Sequence, residues 1–237
     1  MTRTTLVLWD LDHTLIKTGG VGREVFAAAF EQTTGRPMLD MAAPGGLTEP
    51  VIFERTLALH GMADSGDLFP IFAEYQAAEY RLRADDMRRR GQVLPGAEKA
   101  LQAFERRADV VSSVLTGNPR LSGIAKLQIF GLARYLDLDS GAYGDDDSDR
   151  AALVPIAWRR AGQEHDQLFD AGNTVIVGDT PNDVAAACSN GVLVVAVASG
   201  ASSIDDLREA GADVTIRDLQ EFDSEYVLER VTYRRGH

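Results

Sequence analysis

The chain has 237 residues, of which 45% are hydrophobic and 25% charged, and this balance is typical of a globular protein with a substantial core. Its formal net charge of −12 disfavours nucleic acid and anionic membranes as main partners, because both require a basic protein surface. The sequence has no apolar run near the ~18 residues of a membrane span, no signal-peptide pattern and one cysteine, Cys188, so we expect a cytoplasmic location and no internal disulfide.

Five short apolar runs predict buried strands, and helical patterns follow several of them. Asn118 and Pro119 suit the start of one such helix, and Ser203 with Asp206 resembles a capping box at the start of another. Strands that alternate with helices favour a parallel sheet with helices on both faces, so we expect a three-layer α/β core. The predicted strands cover residues 5–9, 110–115, 174–177, 192–198 and 214–216.

The stretch of residues 18–93 has a different character, since it lacks a convincing strand. Glycine and proline at its two junctions, Gly19-Gly20 and Pro95-Gly96, are typical of hinges around an inserted unit. We therefore predict an all-helical unit inserted between two parts of the core, residues 1–17 and 94–237. Its predicted helices cover residues 22–34, 50–60 and 67–90.

Two aspartates, Asp10 and Asp12, directly follow the first predicted strand. Open α/β sheets bind ligands beyond the carboxyl ends of their strands, so acids at this edge are candidates for chemistry. Alone, the pair would most simply end the strand and cap the next turn. Three further motifs also stand at strand ends or helix starts, in the order Thr116-Gly117-Asn118, Arg150, and Gly178-Asp179-Thr180-Pro181-Asn182-Asp183.

With these motifs in this order, the chain resembles the haloacid dehalogenase superfamily, whose phosphatase branch carries an Asp-x-Asp-x-Thr first motif. The resemblance covers essentially the whole chain and implies a Rossmann-like core, a C1-type helical cap inserted after the first motif, and a magnesium-dependent phosphatase. Within the superfamily, the chain is most similar to the phosphoglycolate phosphatase-like group, on the segments Trp9-Asp10-Leu11-Asp12, Thr18-Gly19-Gly20 and Leu47-Thr48-Glu49-Pro50.

Phosphoryl transfer needs an in-line nucleophile, an acid for the leaving oxygen and positive charge around the transferred group. We assign Asp10 as the nucleophile, which forms an aspartyl-phosphate. Asp12 is assigned as the acid that protonates the leaving alcohol and later activates water. The hydroxyl of Thr116 and the amides of Gly117 and Asn118 are assigned to the phosphate oxygens.

A hard cation is needed to hold carboxylate and phosphate together, and Mg²⁺ does so with few protein oxygens. The resemblance implies that its ligands are Asp10, the backbone carbonyl of Asp12, and Asp179. We expect Thr14 and Asp183 to lie next to these ligands without binding the metal directly. Asp183 would hold metal-bound waters or the nearby cation, and it could also stabilise the start of a helix.

The third motif of the family usually supplies a lysine, whereas this chain has Arg150 at the matching position. Arg150 keeps the positive charge, and the N–H groups of its planar guanidinium suit phosphate oxygens. We therefore assign it to phosphate binding and catalysis. Lys126 is the alternative cation, but it lies within a predicted helix and we expect it at the surface. We expect His13 to be a loop residue that points away from the phosphate, and residues 145–147 to form a solvated acidic loop.

The predicted function is hydrolysis of a small phosphorylated metabolite, such as phosphoglycolate, enclosed under the cap. Arg23, Thr48 and Arg55 are the cap residues that could face this substrate. A phosphomutase resembling beta-phosphoglucomutase would use the same aspartates, and nothing in the sequence separates it from a phosphatase. A non-catalytic phosphate-binding module is a further alternative, although it predicts a damaged catalytic set. The sequence leaves the oligomeric state open.

Overall fold

A parallel sheet of five strands forms the centre of the molecule in the computed structural model, which describes residues 4–63 and 68–235. In chain order, the described strands are β1 (Thr5–Trp9), β2 (Ile16–Lys17), β3 (Gln92–Val93), β4 (Val110–Val114), β5 (Thr174–Gly178), β6 (Leu193–Val197) and β7 (Val214–Ile216). The order across the central sheet is β4-β1-β5-β6-β7, and each neighbouring pair is parallel. The two-residue strands β2 and β3 pair antiparallel with each other. The five predicted strands are therefore confirmed.

Helices connect the strands. They are α1 (Val21–Thr34), α2 (Glu49–Leu59), α3 (Leu68–Leu82), α4 (Ala84–Arg90), α5 (Ala97–Glu105), α6 (Arg120–Ile129), α7 (Leu153–His165), α8 (Pro181–Ser189), α9 (Ile204–Glu209) and α10 (Ser224–Arg235). The helix predicted over residues 67–90 is divided at Arg83, whose backbone leaves the helical range, and Asp67 lies outside the described residues. After this division, Met87 packs in a buried cluster with Val21 and Tyr80.

The capping box predicted for Ser203 and Asp206 begins α9. The Ser203 hydroxyl accepts a hydrogen bond from the Asp206 amide, and the Asp206 carboxylate accepts one from the Ser203 amide. Of the helices in residues 4–63 and 68–235, none is long and apolar enough to cross a membrane.

Alternation along β1 divides the core between the two faces of the sheet. Leu6 and Leu8 belong to a buried cluster with residues of α7, α8 and α9, whereas Val7 and Trp9 belong to another with residues of α5 and α10. Successive side chains of a strand point to opposite faces, so a strand that is apolar on both sides has to be covered on both. The result is a helix–sheet–helix sandwich, which confirms the predicted three-layer α/β fold.

The inserted helices α1, α2 and α3 enclose a hydrophobic cluster of their own. Phe26, Phe30, Phe53 and Phe72 are buried in it, and the rings of Phe53 and Phe72 stack with their centroids 4.4 Å apart. β2 precedes α1 and β3 follows α4, so their antiparallel pairing brings the two ends of the insertion together. The domain boundaries at residues 17/18 and 93/94 stay a prediction.

Candidate active site

The carboxyl ends of β1, β4 and β5 meet at one edge of the sheet, because β1 lies between the other two strands and all three are parallel. Asp10 directly follows β1, Thr116 lies two residues after β4, and Asp179 directly follows β5. All three side chains are buried. The topology therefore brings together motifs that lie far apart in the sequence.

A short 3₁₀ helix, Arg150–Ala152, places Arg150 beside two of the acids at this edge. Its Nη2 atom is 2.8 Å from Asp10 Oδ1 and 2.5 Å from Asp183 Oδ1, and all three side chains are at least nine-tenths buried. Within the described part of the chain, Nε of Arg150 has no hydrogen-bond acceptor. The guanidinium therefore keeps an N–H group unused beside the predicted nucleophile.

Three carboxylates, those of Asp10, Asp179 and Asp183, lie close enough to share one cation. One oxygen from each lies within 4.8 Å of the others, and all three residues are buried. Burial and the charges of Asp10 and Asp183 raise the pKa of Asp179 to about 8. Burial raises the pKa of Asp10 to about 6, although Arg150 opposes the shift. Three acids beside one guanidinium leave an excess of negative charge, so this set of donors fits a hard divalent cation such as Mg²⁺.

Thr14 and Thr180 hold two members of this acidic cluster by hydrogen bonds. Thr14 Oγ1 donates to Asp179 Oδ1 at 3.3 Å. Asp183 Oδ2 accepts from the Thr180 amide at 3.0 Å and from the Thr180 hydroxyl at 2.6 Å, in a capping box at the start of α8. Its other oxygen faces Arg150. Asp183 is fully buried, whereas Asp10 and Asp179 line the cavity at this edge, so Asp10 and Asp179 are the carboxylates more open to a metal.

Asp179→Asn is expected to stabilise the metal-free protein, and more so at higher pH. The raised pKa means that the folded protein binds this proton more tightly than the unfolded chain does. Asp179 therefore costs stability progressively as the pH rises from 3.8 to about 8. In excess chelator, the unfolding midpoint of Asp179→Asn should match that of the wild type near about pH 4 and exceed it by several degrees near about pH 8.

Thermal unfolding followed by circular dichroism measures this difference. Asp85→Asn is the matched control, because Asp85 is an almost fully exposed acid on α4. If the difference in unfolding midpoint between Asp179→Asn and the wild type does not grow with pH, repulsion among the buried acids does not destabilise the metal-free protein.

Lys126 is buried, which corrects the expectation that it lies at the surface. It is 4% exposed, and its Nζ atom is 2.6 Å from Asp12 Oδ2 and 2.6 Å from Asn118 Oδ1. The same atom lies 4.9 Å from the centre of the Tyr80 ring. A lysine within a helix is usually solvated, because lysine is rarely buried without a partner. The available signal was its isolation within a mainly apolar stretch of α6.

Asn118 does not cap α6, contrary to the prediction. Its Nδ2 atom donates to Asp12 Oδ2 at 2.9 Å and to Thr116 Oγ1 at 2.8 Å. The side chain is thus drawn to the acid of the first motif, which no local pattern reveals. Burial opposes ionisation of Asp12, but Lys126 and Asn118 outweigh it and hold the pKa of Asp12 below its ordinary value. Burial likewise opposes the Lys126 ammonium, yet the neighbouring Asp12 keeps the pKa of Lys126 above its ordinary value.

Residues 145–147 are not simply a solvated acidic loop. Asp145 Oδ1 accepts a hydrogen bond from the Arg120 amide at 2.9 Å, so Asp145 caps α6 in place of Asn118. Asp146 forms a bidentate ion pair with Arg160 of α7, with N···O distances of 2.5 and 2.7 Å. The run therefore attaches this loop to two helices.

The first residue of α2 and the loop before this helix contact the sheet edge directly. The Glu49 amide donates to the Gly117 carbonyl at 2.8 Å, and Asn182 Nδ2 donates to the Gly45 carbonyl at 2.7 Å. A Cβ atom on Gly117 would lie 2.7 Å from the Leu47 carbonyl oxygen, so this close approach depends on glycine. The inserted helices thus cover the acidic edge.

A cavity of about 620 Å³ lies between the inserted helices and this edge, and Asp10, Asp12 and Asp179 are among its lining residues. Of the cap residues expected to face a substrate, Arg23 also lines it.

The other two cap residues do not line the cavity, which corrects the expectation. Thr48 is 1% exposed, and its hydroxyl donates to the Ser148 carbonyl at 2.8 Å. Arg55 is exposed on α2, whose buried side faces the phenylalanine cluster. His13, expected to be only a loop residue, has a left-handed φ of 64°, is exposed, and also lines the cavity.

Comparison with known proteins gives the chain's relatives. A family model described as haloacid dehalogenase-like hydrolase matches residues 7–187. A curated relative from Cupriavidus necator, named phosphoglycolate phosphatase, plasmid, is 28% identical over 226 residues, which is 91% of this chain and 90% of the relative.

Solved structures are similar over almost the whole chain. An HAD hydrolase of family IA, variant 3, from Entamoeba histolytica has a TM-score of 0.69 at 17% identity and covers 99% of this chain and 100% of its own. A candidate phosphoglycolate phosphatase from Haemophilus somnus has a TM-score of 0.65 at 19% identity, with 92% and 96% covered. A candidate beta-phosphoglucomutase from Bacteroides vulgatus has a TM-score of 0.61 at 16% identity, with 100% and 92% covered. At such identities the likeness shows the fold alone.

Proposed function

Because the chain belongs to the haloacid dehalogenase-like hydrolase family, we propose that it is a divalent-metal-dependent phosphatase that hydrolyses a small phosphomonoester through an aspartyl-phosphate. The observation that carries the proposal is the convergence of Asp10, Asp12 and the acidic cluster at one buried sheet edge beside Arg150. This edge supplies a nucleophile, a second carboxylate for proton transfer and a cation within one cavity.

In the first half-reaction, a carboxylate oxygen of Asp10 attacks the phosphorus while the bond to the leaving oxygen breaks. Asp12 gives that oxygen the proton that it takes from water in each preceding turnover, so the product leaves as an alcohol. Arg150 lies beside Asp10 and balances charge on the transferred phosphoryl group, with the Thr116 hydroxyl and the Gly117 amide as further donors.

In the second half-reaction, Asp12 takes a proton from a water whose oxygen attacks the phosphorus of the aspartyl-phosphate. The bond between phosphorus and Asp10 breaks, and its electron pair returns to the carboxylate. The inserted helices cover this edge and limit the access of bulk water, so we assign the reacting water to the one that Asp12 orients.

For the metal we propose Mg²⁺, held by Asp10, Asp179 and the backbone carbonyl of Asp12, with Thr14 and Asp183 orienting these ligands. When bound, the ion neutralises charge and holds carboxylate and phosphate together. The excess of buried negative charge and the raised pKa of Asp179 support this assignment.

For the substrate we propose a small phosphorylated metabolite of the phosphoglycolate type. The name of the Cupriavidus necator relative supports this class, and the covered cavity favours a compact molecule. Arg23, a basic residue of the inserted helices that lines the cavity, is proposed to contact the part of the substrate beyond the phosphate. A cytoplasmic location, and the lack of nucleic-acid and membrane partners, stay predictions.

Release of inorganic phosphate with Mg²⁺ over a panel of phosphoglycolate, sugar phosphates and nucleoside monophosphates tests the function. Release by the wild type, but not by Asp10→Asn, would support a phosphatase and rank its substrates. Conversion of a sugar phosphate to its isomer without net phosphate release would favour the phosphomutase instead. A folded, metal-loaded protein that turns over none of these compounds would favour a phosphate-binding module.

Arg150→Met should lower kcat/KM for the preferred phosphomonoester by about 10²–10³-fold, because it removes a buried donor to the transferred group. Arg150→Lys should keep most of the activity, since it preserves the charge next to Asp10. Arg160→Met is the control, because Arg160 pairs with Asp146 and does not line the cavity. Steady-state phosphate release measures all three, and equal activity of Arg150→Met and the wild type would remove Arg150 from the mechanism.

A further inference from the structure

The mechanism above leaves Lys126, the buried cation of α6, without a role. We propose that Lys126 is the positioning residue of Asp12, because it fixes one carboxylate oxygen so that the other faces the leaving oxygen of the substrate. The inference rests on the proposed phosphatase function, since it concerns the proton transfers of that reaction.

The two oxygens of Asp12 have different surroundings. Oδ2 accepts hydrogen bonds from Lys126 Nζ at 2.6 Å and from Asn118 Nδ2 at 2.9 Å. Oδ1 has no hydrogen-bond partner among residues 4–63 and 68–235, and Asp12 lines the cavity. Oδ1 is therefore the oxygen open to a substrate or to the attacking water.

Lys126 has close partners on most sides, and it also lines the cavity. Its ammonium donates to Asp12 and to Asn118 Oδ1, each at 2.6 Å, and the Tyr80 ring covers another side with its centre 4.9 Å away. Asn118 contacts both members of the pair, which closes a triangle of hydrogen bonds. Lys126 is thus the cation paired with Asp12, whereas Arg150 lies next to Asp10.

This arrangement suits an acid that gives up its proton. When Oδ1 of Asp12 transfers its proton to the leaving oxygen, the P–O bond breaks with its electron pair on that oxygen, and Asp12 becomes a carboxylate. The ammonium on Oδ2 stabilises this carboxylate and keeps its own protons. In the second half-reaction the same Oδ1 takes a proton from water. Lys126 therefore acts through Asp12 and exchanges no proton itself.

The helix that carries Lys126 also offers a matched control. Ser122 lies one turn earlier on α6, is fully buried, and donates to Gln76 of α3 at 2.8 Å. Ser122→Ala removes a contact between the same two helices without touching Asp12. It should separate loss of packing from loss of acid positioning.

The test compares Lys126→Met on two substrates of similar size that differ in their need for a proton. An alkyl phosphomonoester such as phosphoglycolate leaves as an alcohol, whereas acetyl phosphate leaves as acetate. We expect kcat/KM to fall about 10²-fold for the alkyl ester and less than about 10-fold for acetyl phosphate. Ser122→Ala should change both little, and Arg150→Met should lower both alike. Equal losses by Lys126→Met, or a gain on the alkyl ester, would overturn the proposal.

Thermal unfolding distinguishes this failure from failure of the phosphatase function. Lys126→Met should lower the unfolding midpoint of the wild type by several degrees more than that of Asp12→Asn, because contacting residues couple. This coupling is measurable without turnover, so an inactive wild type with strong coupling would refute the phosphatase function and keep Lys126 as the partner of Asp12. Equal shifts in both backgrounds would overturn the proposal. If Lys126→Met does not fold, Lys126→Gln replaces it in both measurements with the same expectations.

Discussion

Asp10→Asn is expected to lower phosphate release at least about 10³-fold while the protein still folds. Asparagine has nearly the same shape, but its amide cannot act as the carboxylate nucleophile or form an aspartyl-phosphate. The substitution removes one of three buried carboxylates that lie within 4.8 Å of one another, so repulsion in the cluster falls. Loss of activity without loss of folding would therefore identify the chemical role of Asp10.

Steady-state phosphate release and circular dichroism measure this variant. In addition, rapid acid quenching with a substrate labelled in its phosphate should leave label on the wild-type protein and none on Asp10→Asn. Asp85→Asn, at an exposed position of α4, should behave as the wild type in every assay. A wild-type rate for Asp10→Asn, or label on that variant, would exclude Asp10 as the nucleophile.

Removal of divalent metal by a chelator is expected to abolish phosphate release, and added Mg²⁺ should restore it. Without the ion, burial and mutual repulsion raise the pKa of Asp10 to about 6 and that of Asp179 to about 8, so the metal-free cluster retains protons. Asp10 and Asp179 would release those protons on binding a divalent cation, and Asp10 would then be a carboxylate. Binding should also stabilise the fold, by about 2.7 kcal/mol when Mg²⁺ is present at 100 times its Kd.

Activity and the unfolding midpoint should therefore rise together as Mg²⁺ is titrated into the metal-free protein. Asp179→Asn should lose both responses, since it removes a proposed ligand, and Asp85→Asn should keep both. Full activity in excess chelator would contradict a metal-dependent mechanism.

The strand-end residues could be predicted because their chemistry and their position are both local properties. A buried strand is recognisable from its apolar run, and the acids that follow it necessarily stand at the carboxyl edge. Once β1, β4 and β5 are neighbours, Asp10, Thr116 and Asp179 meet without further information. The family match over residues 7–187 confirms the predicted hydrolase.

The partners of the cations were not predictable in this way. The sequence predicts Lys126 in solvent and Asn118 at a helix cap, yet both contact Asp12. Those contacts arise because α6 packs against the inserted helices. The ring of Tyr80 covers the Lys126 ammonium, and Ser122 donates a hydrogen bond to Gln76. No local spacing encodes this packing.

The same limit applies to the cap residues. Arg23 reaches the cavity, whereas the hydroxyl of Thr48 is turned to the Ser148 carbonyl and Arg55 is exposed. The packing of the phenylalanine cluster sets the orientation of α2, and this orientation decides which side of the helix faces the site.

The sequence by itself determined the α/β fold, the helical insertion and the identity of the acids at the sheet edge, because these follow from periodicity and from signals within a few residues. Only the tertiary structure decided that Arg150 pairs with Asp10 and Asp183 while Lys126 pairs with Asp12. The physical reason is that a buried charge is stable only beside a partner, and that partner is chosen by packing between segments far apart in the chain.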